Sequence, residues 1–192
     1  MTLAVLLIAA YLLGSIPTSY IVVYRFTGRD IRTIGNGNPG TMNVLDAVGL
    51  RAASIVGVGD ISKGMAAIGL AHLAGLGDME AVAAAVVAVI GHDYSVFLRL
   101  NGGNGLATAV GGIYALLPAA GLIATGTAAV AFVLLRSRRI SGLIGLSMLP
   151  PLAYWLNAPD MKLIGLLLLL TVSGLKIIRF EGFSPSRSRP PR

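Results

Sequence analysis

The sequence predicts an all-α integral membrane protein of about seven transmembrane helices, some of them short or broken. Three observations carry this expectation. Of the 192 residues, 55% are hydrophobic and only 12% charged, a balance beyond what a water-soluble core needs. Apolar runs of membrane-spanning length recur along nearly the whole chain. Lys and Arg collect in alternate connections between those runs, as they do in cytoplasmic loops.

The first span is expected from Leu3 to Tyr24, with Pro17 as a kink and Gly14 and Ser15 as close-packing positions. Its apolar start resembles the core of a signal peptide. It lacks a positive leader, however, and the apolar run continues to Tyr24, so it is read as a retained helix. The second span runs from Arg51 to Leu73 and is expected to be interrupted by Gly59–Gly64; the third runs from Met79 to Leu98. Leu106 to Leu135 is too short for two full spans of ~20 residues, so two short or tilted helices should meet near Pro118. The sixth and seventh spans are Ile140–Leu156 and Met161–Ile178. Residues 1–183 are read as a single polytopic domain, and the basic, low-complexity residues 184–192 as a disordered tail.

The loop after span one holds Arg25, Arg29, Arg32 and Arg51; Arg99, Arg136, Arg138, Arg139 and Arg179 follow the odd-numbered spans, and Lys176 lies at the end of the seventh. This predicts an N-terminus outside and a C-terminus in the cytoplasm. The net charge of +7 is explained by that topology, so nucleic acid is not expected as a partner, whereas the lipid bilayer is. With no cysteine and only His72 and His92, thiolate and histidine-rich metal centres are excluded, and neither a metal nor a cofactor is expected.

Three polar, glycine-dense segments lie between the spans: Gly28–Asn43, Gly59–Gly64 and Gly91–Gly105. In a bilayer, irregular backbone persists only where protein buries it or where it lines a cavity, so these segments point to a built site on the cytoplasmic side. In the first, Gly35, Gly37 and Gly40 sit among Asn36, Asn38, Thr41 and Asn43, short hydrogen-bonding groups that suit an anion nest. Asn-Gly pairs are also ordinary turn formers, which is the plainer reading. In the second, Asp60 and Lys63 share a helix face inside an apolar pattern, either as a structural ion pair or with Lys63 facing a phosphate. In the third, Gly102, Gly103, Asn104 and Gly105 feed a helix start, where free N–H groups and the helix dipole favour anions, and Thr108 adds a hydroxyl. His92 is either a general base or a structural histidine, and Ser141 either a helix cap or a ligand group. With no Ser–His–Asp spacing and no HxxxxD pair, any catalysis must rest on positioning and electrostatics, as suits an activated acyl phosphate.

In order and spacing, these segments resemble the three motifs of the bacterial acyl-phosphate:glycerol-3-phosphate acyltransferases (PlsY): GxDxRxxGSGNxGATN, GDxxKG and GHxFPxFxxFxGGKGVAT. They stand here at Gly28–Asn43, Gly59–Gly64 and Gly91–Thr108, and the likeness covers residues 3–180. The resemblance implies a multi-pass enzyme of the bacterial inner membrane. Such an enzyme transfers an acyl chain from acyl phosphate to the 1-position of glycerol 3-phosphate, giving lysophosphatidic acid and phosphate in phospholipid biosynthesis. It implies catalytic roles for His92 and Lys63, and substrate binding by Asn36, Asn38, Gly40, Thr41, Asn43, Gly102, Gly103, Asn104, Thr108 and Ser141.

The sequence departs from the family pattern at charged and polar positions. The Ser of GSGN is Asn36, the Lys of GGKG is Asn104, an Arg after the first motif is Asp46, and a C-terminal Arg-Glu-Asn run reads Arg179-Phe180-Glu181-Gly182. Arg32, Arg51 and Arg179 are the cations available to compensate. Two alternatives stay open beside the family reaction: acyl transfer to a different, less anionic acceptor, and a non-catalytic lipid-binding paralogue.

Overall fold

The computed structural model describes residues 2–182, and the 184–192 tail lies outside them. Among the described residues there are nine α-helices and no strand. The helices are α1 (Leu3–Ser15), α2 (Thr18–Thr27), α3 (Thr41–Ala47), α4 (Leu50–Leu73), α5 (Asp78–Asp93), α6 (Leu106–Leu116), α7 (Pro118–Leu135), α8 (Arg138–Trp155) and α9 (Asp160–Gly182). Five stretches are long and apolar enough to cross a membrane: Leu3–Thr27, Leu50–Leu73, Asp78–Leu98, Pro118–Leu135 and Asp160–Arg179. The 11-residue α6 rises only about 16 Å. Helix α8 opens on Arg138 and Arg139 and contains Pro150 and Pro151.

Helix α5 is the most buried of the five stretches and lies against α1, α4, α6 and α9. Helix α4 packs chiefly on α6, and α7 on α8. The main core joins Leu6 and Ala10 of α1, Ile68 of α4, Ala85 and Ala88 of α5, Ile113 of α6, and Leu166 and Leu169 of α9. A second cluster of Val22, Val23, Ile31, Val44, Ala53 and Val56 pins the α2–α4 connection onto those two helices.

Between α1 and α2 the chain breaks at Pro17, as its missing N–H requires. Pro17 has φ −86° and ψ 71°, and the Thr18 amide donates to the Ile16 carbonyl at 3.0 Å, an inverse γ-turn. The Ser15 carbonyl, deprived of its helical donor, accepts from Ser95 Oγ at 2.5 Å.

Helix α4 passes through Gly59–Gly64 without interruption, contrary to the sequence expectation. The two glycines serve helix contacts instead. A Cβ at Gly59 would fall 2.6 Å from Thr18 Cγ2, and one at Gly64 would collide with the Thr108 carbonyl of α6. Small residues of this kind let membrane helices approach backbone to backbone. The third expected span matches the apolar stretch Asp78–Leu98, within which helix α5 ends at Asp93. After it, Arg99 and Leu100 both take positive φ and the Ser95 carbonyl gathers the Leu98 and Leu100 amides, so this stretch is a compact loop.

Gly64→Val should therefore force α4 and α6 apart. Overpacking of this kind costs about 1–3 kcal/mol, which predicts a lower thermal midpoint in detergent than for Gly69→Val, where a Cβ meets open space.

Candidate active site

The kink, the α4 ion pair and the glycine turn meet at one end of the bundle. Lys63 Nζ lies 2.8 Å from Asp60 Oδ1 and also donates to the Ile16 carbonyl at the kink. Both side chains are almost wholly buried, so the pair carries its own neutralisation into the protein. An ammonium has three donors, and these contacts use two of them. His92 Nδ1 lies 3.7 Å from the same Asp60 oxygen. Its Nε2 faces Gly103, where a Cβ would collide with it. Asp60 thus touches Lys63 on one side and His92 on the other.

The glycine turn is hung from the end of α5. The Gly102 amide donates to the Asp93 carbonyl at 3.1 Å and the Gly103 amide to the His92 carbonyl at 3.2 Å. A Cβ at Gly103 would lie 2.9 Å from the Pro39 carbonyl, so the turn also meets the first loop. Gly105 is the N-cap of α6 at φ 64°, and a Cβ there would lie 2.5 Å from Asp93 Oδ1. The first intrahelical bond is Ala109 N to Gly105 O, which leaves the amides of Leu106, Ala107 and Thr108 at an open helix start.

The first loop is folded around Asn43. Its buried amide accepts from the Asn36 N–H at 2.9 Å and donates to the carbonyls of Ile34 at 3.1 Å and Asn38 at 3.0 Å. Asn36 Oδ1 in turn accepts the Asn38 N–H at 2.9 Å. Ser19 Oγ holds the Pro39 carbonyl at 2.9 Å, and Gly40 is the N-cap of α3. At the loop's outer end, Arg32 pairs with Asp30 at 2.6 Å, lies over the Tyr20 ring and reaches the Leu98 carbonyl at 3.3 Å. The Arg32 side chain holds the Asp30 carboxyl below the usual carboxylate range, so this anchor contributes stability above that range and loses it as pH falls through the lowered value.

Five sequence-predicted residues carry a buried side-chain oxygen with no hydrogen-bond partner: Asn38, Thr41, Asn104, Thr108 and Ser141. A buried orphan oxygen costs free energy, and such groups concentrate where a ligand or water completes the set. Asn36 and Asn43 are instead satisfied within the loop and hold its shape. Ser141 is not a helix cap. Ser137 caps α8 by accepting the Ile140 N–H, while Ser141 is buried in the first turn. Asp46 does not face the interior: it is more than half exposed and pairs with Arg138 at 2.8 Å.

The cations expected to compensate are mostly engaged elsewhere. Arg32 belongs to Asp30, and Arg51 lies 6.0 Å above the Phe26 ring. Sequence reading missed Lys176, whose Nζ donates to the Asp93 carbonyl at 3.1 Å. Its signal was a lysine at the end of an apolar run, which topology alone explained. Beside α6 runs an apolar groove of about 190 Å³, lined by Leu106, Val110 and Tyr114 of α6, Ala124 and Ala128 of α7, and Gly142 of α8.

Asn43→Ala should release three main-chain partners of the first loop at once. The expected result is faster proteolysis within residues 34–43, with the thermal midpoint of the helical bundle falling far less than loop protection does.

Known proteins resemble this chain in sequence and fold. A glycerol-3-phosphate acyltransferase from Rubrobacter xylanophilus is 46% identical over 117 residues, 61% of this chain, and the chain covers 58% of that protein, less than two thirds of its length. One from Pseudomonas fluorescens is 38% identical over 168 residues, covering 87% of this chain and 88% of the relative. A crystal structure of PlsY (YgiH), an integral membrane glycerol 3-phosphate acyltransferase in its glycerol 3-phosphate form, superposes with a TM-score of 0.81. It is 27% identical, with 95% of this chain and 90% of that one covered. The family model for glycerol-3-phosphate acyltransferases matches residues 4–182, and the chain belongs to that family.

Proposed function

We propose that this protein transfers an acyl chain from acyl phosphate to the 1-hydroxyl of glycerol 3-phosphate, producing lysophosphatidic acid and inorganic phosphate for phospholipid synthesis. The observation that carries this reading is the Lys63–Asp60–His92 chain ending on the Gly102–Gly105 turn, at an open helix start. The relatives act on glycerol 3-phosphate by name, and a phosphate dianion suits that turn.

In the reaction, the glycerol 1-oxygen attacks the acyl carbonyl carbon. A new ester C–O bond forms, and the bond from that carbon to the phosphate oxygen breaks. The hydroxyl proton leaves through His92 Nε2, which Asp60 orients from the other ring nitrogen, and ends on the released phosphate. The remaining N–H of Lys63 and the amides of Leu106–Thr108 stabilise the charge that develops on oxygen. Thr41, Thr108 and Ser141 offer unpartnered hydroxyls to the phosphates, Asn38 and Asn104 accept from the glycerol hydroxyls through Oδ1, and Gly40, Gly102 and Gly103 permit the close packing that shapes the loop and the turn. Asn36 and Asn43 contribute by holding the loop. The acyl chain lies in the α6–α7–α8 groove, which begins beside the glycine turn at Leu106.

The same reading places seven helical segments across a bacterial inner membrane, with α1–α2 counted as one and α6 as a partial span. The N-terminus is outside, and the first loop and the glycine turn face the cytoplasm. It treats the chain as one catalytic domain.

Phosphate release from palmitoyl phosphate by the protein in lipid should depend on glycerol 3-phosphate and yield lysophosphatidic acid. Release without acceptor dependence, or only with an uncharged acceptor such as glycerol, would move the assignment to another acceptor. Lys63→Ala should abolish turnover; unchanged turnover would make the Asp60–Lys63 pair purely structural. Gly142 lines the groove and has open space at its Cβ, so Gly142→Leu should shift preference toward shorter chains. At ~0.8 kcal/mol per buried methylene, losing two of them lowers kcat/KM for palmitoyl phosphate about tenfold relative to decanoyl phosphate.

A further inference from the structure

We propose that Lys176 is the cation that binds the acceptor phosphate at the glycine turn, in place of the lysine that position 104 lacks. This deepens the acyltransferase reading and rests on it. The turn and the helix start offer backbone amides and the Thr108 hydroxyl, and the residue that would carry its charge is Asn104. A dianion held by neutral donors alone binds weakly, because charge-assisted hydrogen bonds are roughly twice as strong as neutral ones.

Lys176 meets the turn from α9. Its Nζ shares one acceptor, the Asp93 carbonyl, with the Gly102 amide, each at 3.1 Å. The ammonium therefore stands one oxygen atom away from the first N–H of the turn. It also lies 4.1 Å from the centre of the Tyr94 ring, which fixes it from a second side.

Its partners distinguish it from three of the other cations. Lys63, Arg32 and Arg138 each form a salt bridge, at 2.8, 2.6 and 2.8 Å. Lys176 has no such bridge among the described residues: it holds a neutral carbonyl and an aromatic face, which leaves donors and charge for a ligand. The Asp93 carboxylate lies beyond salt-bridge distance, with its Oδ1 buried and unpartnered beside Gly105. Lys176 lines a cleft of about 620 Å³ together with Asp93, Tyr94 and, one turn further on, Arg179.

The test compares wild type, K176M, K176R, N104K and K176M/N104K in lipid nanodiscs. It measures kcat and the KM for glycerol 3-phosphate with palmitoyl phosphate, and independently the Kd for glycerol 3-phosphate by calorimetry. K176M should raise KM and Kd by roughly ten- to a hundredfold, the worth of one hydrogen bond to a charged group, with a smaller change in kcat. K176R should fall between the two. N104K should add little to wild type but restore most of the affinity to K176M, which a merely structural role for Lys176 would not allow. Unchanged KM and Kd in K176M would overturn the proposal. So would a loss that N104K does not repair, since Lys176 would then only tether the end of α5. A wild type that binds glycerol 3-phosphate in a Lys176-dependent way without turnover would sink the reaction and keep the site, whereas a wild type that neither binds nor turns over would sink both.

Discussion

The Lys63 ammonium is the contact on which the rest of the site depends. With no water in the bilayer core, a broken helix and a buried carboxylate must both be satisfied by protein. Lys63 does both, through the Ile16 carbonyl at the Pro17 break and through Asp60 on its own helix. Its removal would leave an uncompensated buried charge, a larger penalty than the loss of the pair itself. Beyond the kink, α2 leads into the first loop, which meets the turn after α5 where the Pro39 carbonyl faces Gly103. There Ser15 and Ser95 complete the join by bonding to the main chain across it.

Close approach of helices is the second constraint. Lipid tails are as apolar as the core, so association relies on packing contacts and small residues. Gly14 lies on the Ala88 backbone, Gly91 on that of Tyr11, Gly64 on that of Thr108 and Gly111 on that of Ile61. These contacts clamp α1 to α5 and α4 to α6. His92 stands beside the turn that follows its own helix, so the glycines that stabilise the bundle also shape the candidate site.

Two of the charged side chains find their partners far along the sequence. The acidic residue at position 46 is absorbed by Arg138 outside the pocket. The neutral residue at 104 stands in a turn whose supporting carbonyl is held by a lysine from α9. Distance along the sequence hides this contact, because Gly102 and Lys176 meet only at the Asp93 carbonyl.

The residues alone determined the membrane class, the all-helical fold and the three glycine-dense segments. Hydropathy and glycine density act locally, and the spacing of Asp60 and Lys63 on one helix face needs no tertiary information. Only the tertiary structure decided the rest. Gly59–Gly64 looked like an interruption because glycine weakens an isolated helix, yet packing against Thr18 and Thr108 made it a contact surface. Asn36 and Asn43 looked like ligand groups and became the loop's own scaffold, while Asn38, Thr41, Asn104, Thr108 and Ser141 kept unpartnered oxygens. Asp46 and Lys176 exchanged their expected significance for the same reason. Which partner a polar group finds in a bilayer is set by which helices touch, and a uniformly apolar sequence carries almost no record of those contacts.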